Sequence, residues 1–371
     1  MNVTIEREAI LRILSRTQGV VDKRHSMAVL TNALVEVEDK AISIVATDLE
    51  VSLKQTAPAQ VGEPGKAAAS ARTLFEIVRE SSADEISLRT LDNQWVEVSY
   101  GKSNFKLMGI DPEEYPGMPQ AGANSTESSS FEIPAGDLNE MVRKTIFAVS
   151  SDDTRSNLAG VYFTKSKKKN QLRMVATDGH RLAVIDRTIS GELPEDGAIL
   201  PRKGLNEIGK MLGEETGKIE ITITGNEATV SIGDSMLSMR LVEGSFPDYQ
   251  KVIPKETPNQ MKVSRDELLH TLRRVSILSS ERARGVRFRL SNNSLELSAN
   301  NPDMGEAKEE LSVEYAGADM EIGFNAKYLI DVLGILPEGS GVEIGFGDEL
   351  SPGVLSGDDS GYRYVVMPMR I

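Results

Sequence analysis

The chain has 371 residues, no cysteine and three histidines, and 42 Lys+Arg against 56 Asp+Glu give it a formal charge of −14. Without a thiol it has neither a disulfide framework nor a thiolate metal site, and no apolar run approaches the length of a membrane span. The first residues, Met1-Asn-Val-Thr-Ile-Glu-Arg7, lack the basic and apolar regions of a secretory signal, so the expectation is a soluble, cytoplasmic protein with room for two or three domains.

Taken in chain order, one succession of elements occurs three times. An amphipathic start reads Val3-Thr-Ile-Glu-Arg-Glu-Ala-Ile-Leu11, then Phe131-Glu-Ile-Pro-Ala-Gly-Asp-Leu138, then Met261-Lys-Val-Ser-Arg-Asp-Glu-Leu-Leu269. An apolar strand running into a polar turn follows: Ile44-Val-Ala-Thr-Asp-Leu-Glu50, Met174-Val-Ala-Thr-Asp-Gly-His180, Leu297-Ser-Ala-Asn-Asn-Pro-Asp303. A second helix start comes next at Ala71, Pro201 and Asn325, and each unit ends on a strand: Phe105–Ile110, Leu237–Val242 and Tyr364–Met369. Thr47 and Thr177, like Phe75 and Leu205, stand 130 residues apart. A repeat this long exceeds a solenoid unit and predicts domains with their own cores. The small polar stretch Ala121–Ser130 and the proline-bracketed Pro254–Gln260 mark breaks, giving domains at 1–125, 126–256 and 257–371.

Apolar spacing predicts helices in windows 6–18, 72–80, 135–146, 202–212, 265–276 and 326–333. Strands are expected at Ala41–Val45, Ile219–Thr224, Val286–Leu290 and Leu295–Leu297, with hairpin turns at Asp92-Asn93, Gly225-Asn226 and Ser291-Asn-Asn293. Two helices against antiparallel strands in each unit make an α+β fold of three similar domains. Sheets of this kind have edges that must be covered or joined. A head-to-tail joining that closes makes a ring, so two three-domain chains predict a six-domain circle.

The acidic average hides an asymmetry. The six helix windows carry 14 Lys+Arg against 10 Asp+Glu, a net +4, which leaves −18 on the rest of the chain. Helix surfaces ordinarily carry both charges, so the excess alone does not establish nucleic-acid binding.

Four motifs carry a closer resemblance: Val175-Ala-Thr-Asp-Gly-His-Arg-Leu182, Pro201-Arg-Lys-Gly204, Gly244-Ser-Phe-Pro-Asp-Tyr249 and Tyr364-Val-Val-Met-Pro-Met-Arg-Ile371. Thr47-Asp-Leu-Glu50 and Ile322-Gly-Phe-Asn325 add to it. Over its full length the chain resembles the bacterial DNA polymerase III beta subunits, the DNA sliding clamps. The resemblance implies the DNA clamp fold, a homodimeric ring with helices lining the hole, and double-stranded DNA passing through it. It also implies docking of the DNA polymerase III alpha subunit and other DNA polymerases, opening by a clamp loader complex, no cofactor, and an accessory role with no catalytic residues and no metal.

By the same resemblance, Arg24, Ser156 and Asn157 fall where the family contacts DNA. Some members carry tyrosines at the latter two positions; here both are short and polar. Read without the resemblance, Arg24 is a solvated loop residue. The implied partner-peptide pocket takes Leu158, Thr177, Gly179, His180, Arg181 and Leu182 from the second domain. Pro247, Lys251 and Val252 follow, then Val365, Val366, Met367, Pro368, Met369 and Arg370 from the tail. Leu182, Val252, Val366 and Met367 suit an apolar floor, and methionine adapts to varied ligands. Arg181, Lys251 and Arg370 suit acidic flanks of a peptide. Lys251 stands where many members have arginine, which removes bidentate pairing. The tail also reads as an edge strand, part strand and part pocket wall. The implied dimer contact sets Ile277 and Leu278 against Phe105 and Leu107, each worth about 1.5–3 kcal/mol if fully buried. Ordinary core packing is the alternative reading of those four.

Other signals are weaker. Asp178, His180 and Arg181 resemble an acid–base site, but no further carboxylate is placed by motif to orient His180. Asp152-Asp153 and Asp358-Asp359 lack EF-hand spacing, Lys165-Ser-Lys-Lys-Lys169 reads as a basic hairpin tip, and there is no phosphate-binding Gly-x-x-x-x-Gly-Lys loop. Two other readings stand beside the clamp: a repeat scaffold that binds peptides and encircles nothing, and a hydrolase using Asp178 and His180.

Overall fold

The computed structural model describes residues 1–21, 27–118, 128–152, 154–213, 216–280, 284–357, 359 and 361–370. Its α-helices are α1 (Arg7–Val20), α2 (Ala71–Glu80), α3 (Ala135–Thr145), α4 (Arg202–Leu212), α5 (Arg265–Val275) and α6 (Ala326–Ile335). Each lies within two residues of its predicted window. The starts are local: the last residue of the preceding strand caps the helix. Ser70 Oγ accepts from Thr73 N at 3.3 Å, Ser264 Oγ from Glu267 N at 3.4 Å, and Asn325 Oδ1 from Lys327 N at 2.9 Å. Among the described residues no helix is long and apolar enough to cross a membrane.

The chain divides into two compact units. The first comprises Met1–Asn139, Ile189–Pro194 and Lys203–Leu241. It holds a five-stranded and a ten-stranded sheet. Ile10, Ile13 and Leu14 of α1 and Leu74 and Val78 of α2 share one core with Ile86, Leu88, Val96 and Val98 of the smaller sheet. Val35, Val37, Ile42 and Ile44 of the larger sheet complete it. The larger sheet is continuous because strand Val51–Pro58 of the first repeat pairs antiparallel with strand Ser235–Arg240 of the second, Leu53 facing Leu237.

The second unit comprises Glu140–Thr188, Glu195–Arg202 and Val242–Ile371, with a nine-stranded and a four-stranded sheet. Leu268, Leu269, Leu272 and Val275 of α5 and Leu329, Val332 and Leu333 of α6 are buried. Phe324 meets Phe288 edge-on at 5.4 Å and Phe346 at 6.2 Å, linking the two sheets. Here strand Arg181–Thr188 of the second repeat pairs with Tyr362–Val366 of the third, Ala183 facing Tyr364. Both joints thus use the strand after the polar turn of one repeat and the closing strand of the next.

Two counterparts of those strands remain at sheet edges. Ser103–Leu107 ends the five-stranded sheet and Gly305–Ser312 ends the four-stranded one, each with a neighbour on one side only among the described residues. The predicted hairpin turns are present, with Asn93 at φ 62°, Gly225 at 59° and Asn293 at 56°, left-handed backbone that Gly and Asn adopt most readily.

Candidate functional site

The Thr-Asp motif is a turn device. Thr47 Oγ1 accepts from Leu49 N at 3.0 Å, and Asp48 Oδ1 accepts from Glu50 N and Val51 N at 3.0 and 2.7 Å. Thr177 and Asp178 repeat this with Gly179 N at 3.1 Å, His180 N at 2.9 Å and Arg181 N at 3.1 Å. The residue between sits at positive φ in both, Leu49 at 75° and Gly179 at 89°. In the second repeat this turn forms one wall of a cavity.

That cavity holds about 250 Å³ and lies within the second unit. Of the residues expected there, Leu158, Thr177, Gly179, Arg181, Leu182, Pro247, Val252, Val365 and Met367 line it. Val366, the last residue of strand Tyr362–Val366, is buried and does not line the cavity. His180 is exposed and stacks on Tyr328 at 6.3 Å, while its carbonyl accepts from Met367 N at 2.9 Å, tying the tail to the turn. Lys251 is 82% exposed and pairs with Asp248 at 2.9 Å. Pro368 and Met369 are half-buried, Met369 N donating to Gly323 O at 2.9 Å, and Arg370 is exposed.

Arg181 is a buried charge in the wall. Its Nε donates to Asp178 at 3.0 Å, Nη1 to Asp331 at 2.7 Å and Nη2 to Phe147 O at 2.6 Å, and its plane lies over the rings of Tyr328 and Phe147 at 4.6 and 5.4 Å. Burial by itself lowers its pKa, but Tyr364, Asp331 and Asp178 outweigh that and hold it above the ordinary arginine value. All three nitrogens are committed to the protein, so Arg181 offers the cavity a fixed wall. Asp178 is equally committed: one oxygen closes the turn and the other binds Arg181.

Asp248 and Tyr249 also line the cavity, and sequence reasoning misses them. They stand in the Gly244–Tyr249 motif, which contributes only Pro247 to the expected pocket. Tyr249 is buried and meets Phe246 edge-on at 6.4 Å, and Phe246 stacks on Tyr162 at 5.0 Å and 9°. These aromatics join Val175, Leu182, Val184 and Val365 in one small core beneath the cavity.

The same unit holds an ionic cluster. Lys144 Nζ reaches Glu140 at 2.6 Å and Asp359 at 2.9 Å, and Arg187 reaches Glu140 at 2.6 Å. Burial pushes the Asp359 carboxyl up, but hydrogen bonds from Arg187 and Lys144 outweigh it and hold it at about 2. Glu140 is likewise held below the usual carboxylate range by the same cations, against its burial.

Of the expected DNA-side residues, Arg24 lies outside the described residues. Ser156 and Asn157 open the short turn Ser156–Leu158; Ser156 is exposed, and Asn157 Nδ2 donates to Ser245 O at 2.9 Å. Phe105 is 38% exposed on its edge strand, stacked on Tyr100 at 5.8 Å, and Leu107 packs against the first unit's core. Ile277 is 67% exposed and Leu278 half-buried in the turn after α5. Asp153 and Asp358 lie outside the described residues, and Lys167–Lys169 form an exposed hairpin tip.

The geometry meets its relatives along the whole chain. Family models match as DNA polymerase III beta subunit, N-terminal domain over residues 1–119, central domain over 132–248 and C-terminal domain over 250–370. The beta sliding clamps of Pseudomonas aeruginosa and Escherichia coli K12 are each 35% identical, with all of both chains covered. The solved DNA polymerase III subunit beta of Bartonella birtlesii, bound to griselimycin, superposes with a TM-score of 0.93 at 31% identity over all of both chains. The chain belongs to the bacterial DNA polymerase III beta-subunit family, the DNA sliding clamps, which are accessory subunits of the polymerase and not enzymes.

Proposed function

We propose that the chain works in the cytoplasm as a head-to-tail homodimer of six domains, divided at 1–125, 126–256 and 257–371. It closes into a ring around double-stranded DNA and tethers polymerases through the cavity beside Arg181. The observation that carries this is the repeated joint. Leu53 faces Leu237 and Ala183 faces Tyr364 at corresponding places, while the corresponding edges Ser103–Leu107 and Gly305–Ser312 have one neighbour each among the described residues. An edge strand left open invites pairing with another chain, and a heterologous contact that closes makes a ring. Two copies supply two such joints. Phe105, Leu107, Ile277 and Leu278 are the apolar groups such a contact would cover, Ile277 at 67% and Phe105 at 38% being exposed in the single chain.

On this reading DNA is held by enclosure. Arg24, Ser156 and Asn157 touch phosphates sparsely, without base readout, so that the ring does not stop at particular sequences. A helix lining of net +4 against −18 elsewhere keeps duplex in the hole while adding little friction. The cavity takes short apolar segments of the DNA polymerase III alpha subunit, other polymerases and the clamp loader in turn. Exposed Lys251 and Arg370 meet the polar flanks of those segments. Light scattering tests the assembly: twice the 40.4 kDa chain mass at micromolar concentration is expected, and a stable monomer there contradicts the ring.

A further inference from the structure

Asn157 connects the two sides of the cavity. Its neighbour Leu158 lines one side, and Pro247, Asp248, Tyr249 and Val252 line the other. Between them Asn157 Nδ2 donates to Ser245 O at 2.9 Å. The turn carrying Asn157 is itself held, since Leu158 N donates to Arg155 O and Ala159 N to Ser156 O, both at 2.9 Å. The opposite segment approaches closely. Gly244 has φ 109°, which favours glycine, and a Cβ built there would stand 3.3 Å from the Asn157 Cβ. Beyond it Phe246 is clamped on Tyr162, and Tyr162 Oη donates to Asp196 O at 2.8 Å. Held at Ser245 and Phe246, the segment presents Pro247 and Tyr249 to the cavity in one position.

We infer that Asn157 is a positioning residue for partner docking: its amide clasps the Gly244–Val252 segment to the Leu158 turn and keeps the apolar groove open to an incoming peptide. This rests on the docking reading above and adds to Asn157 a role separate from any DNA contact. Residues 244–248, ahead of the short 3-10 turn Tyr249–Lys251, carry no helix or strand of their own, so their place depends on a few contacts: Asn157 on Ser245, Phe246 on Tyr162 and the buried Tyr249 ring. A groove already formed spares the partner the cost of ordering it.

The test measures binding of the purified cognate DNA polymerase III alpha subunit to the immobilised dimer. Asn157→Asp keeps the shape and removes the donor, and facing a carbonyl it adds repulsion. It should weaken binding about fivefold, the scale of one hydrogen bond. Gly244→Ala crowds the same contact and should weaken binding similarly. The double variant should lose no more than the worse single one, a coupling that two unrelated structural defects would not show. Met367→Ala is the control for the pocket. If it weakens binding while Asn157→Asp and Gly244→Ala bind as the parent does, the inference is overturned and the docking reading stands. If Met367→Ala also binds normally, the docking reading fails and the inference with it.

Discussion

Leu53 and Leu237 face each other across an antiparallel ladder between the first and second repeats, and Ala183 and Tyr364 occupy the same places between the second and third. In the proposed dimer, the same register carried forward would set Phe105 opposite the second copy's Glu306 and Leu107 opposite its Met304. Exposure of Phe105 at 38% in the single chain is what such a joint would consume. Phe105→Glu forfeits burial of that remaining 38% and sets like charges opposite one another, so it should raise the dimer dissociation constant about tenfold. Sedimentation over a concentration series reads this. An unchanged dimer would move the contact elsewhere.

Deletion of residues 367–371 should abolish stimulation of the alpha subunit while the dimer persists. Met367 lines the cavity, and the tail is held there by Met367 N on His180 O and Met369 N on Gly323 O. The closing strand Tyr362–Val366 stays in its sheet without them. Primer-extension length and light scattering on one preparation check both halves, and disassembly of the dimer would contradict the assignment.

Arg181 and Lys251 should differ sharply in what their loss costs. Arg181→Ala leaves Asp178 and Asp331 without their buried partner and should cost about 3 kcal/mol of stability. Lys251→Ala removes an exposed pair with Asp248 and should cost under about 0.5 kcal/mol. Urea midpoints distinguish the two, and equal shifts would mean Arg181 is not bound as described.

The second unit should be acid-labile through Asp359. Its carboxyl sits at about 2 when folded, below the ordinary value near 3.9 of an unfolded aspartate. The stability it contributes is therefore present above about pH 4 and is lost as pH falls through about 2. Glu140, also lowered, acts in the same direction. Asp359→Asn should lower stability at pH 7, by roughly 1 kcal/mol after allowance for partial solvent exposure. It should also flatten the loss between pH 4 and 2. Thermal melts across that range check this, and parallel pH profiles of the parent and the variant would contradict it.

What was legible in the sequence was what is local. Helix windows matched because a buried stripe such as Ile10, Ile13, Leu14 repeats at helical spacing and Ser70, Ser264 and Asn325 supply caps. The Thr-Asp turn was visible as a repeat, although its hydrogen bonds were not. Pairings that depend on distant residues left no periodic trace: Asn157 on Ser245, Tyr162 on Phe246, Lys144 on Asp359. Arg181 reads in sequence as a cation for a ligand; its partners Asp178 and Phe147 from the second repeat and Asp331 and Tyr328 from the third reveal it as a buried structural charge.

Retention on DNA of different topology addresses the central claim most directly. Loaded by its cognate loader onto nicked circular plasmid, the protein should remain through gel filtration at moderate salt, and cutting the plasmid once should release it within minutes. Equal loss from circle and linear form would mean that it grips its substrate and does not encircle it.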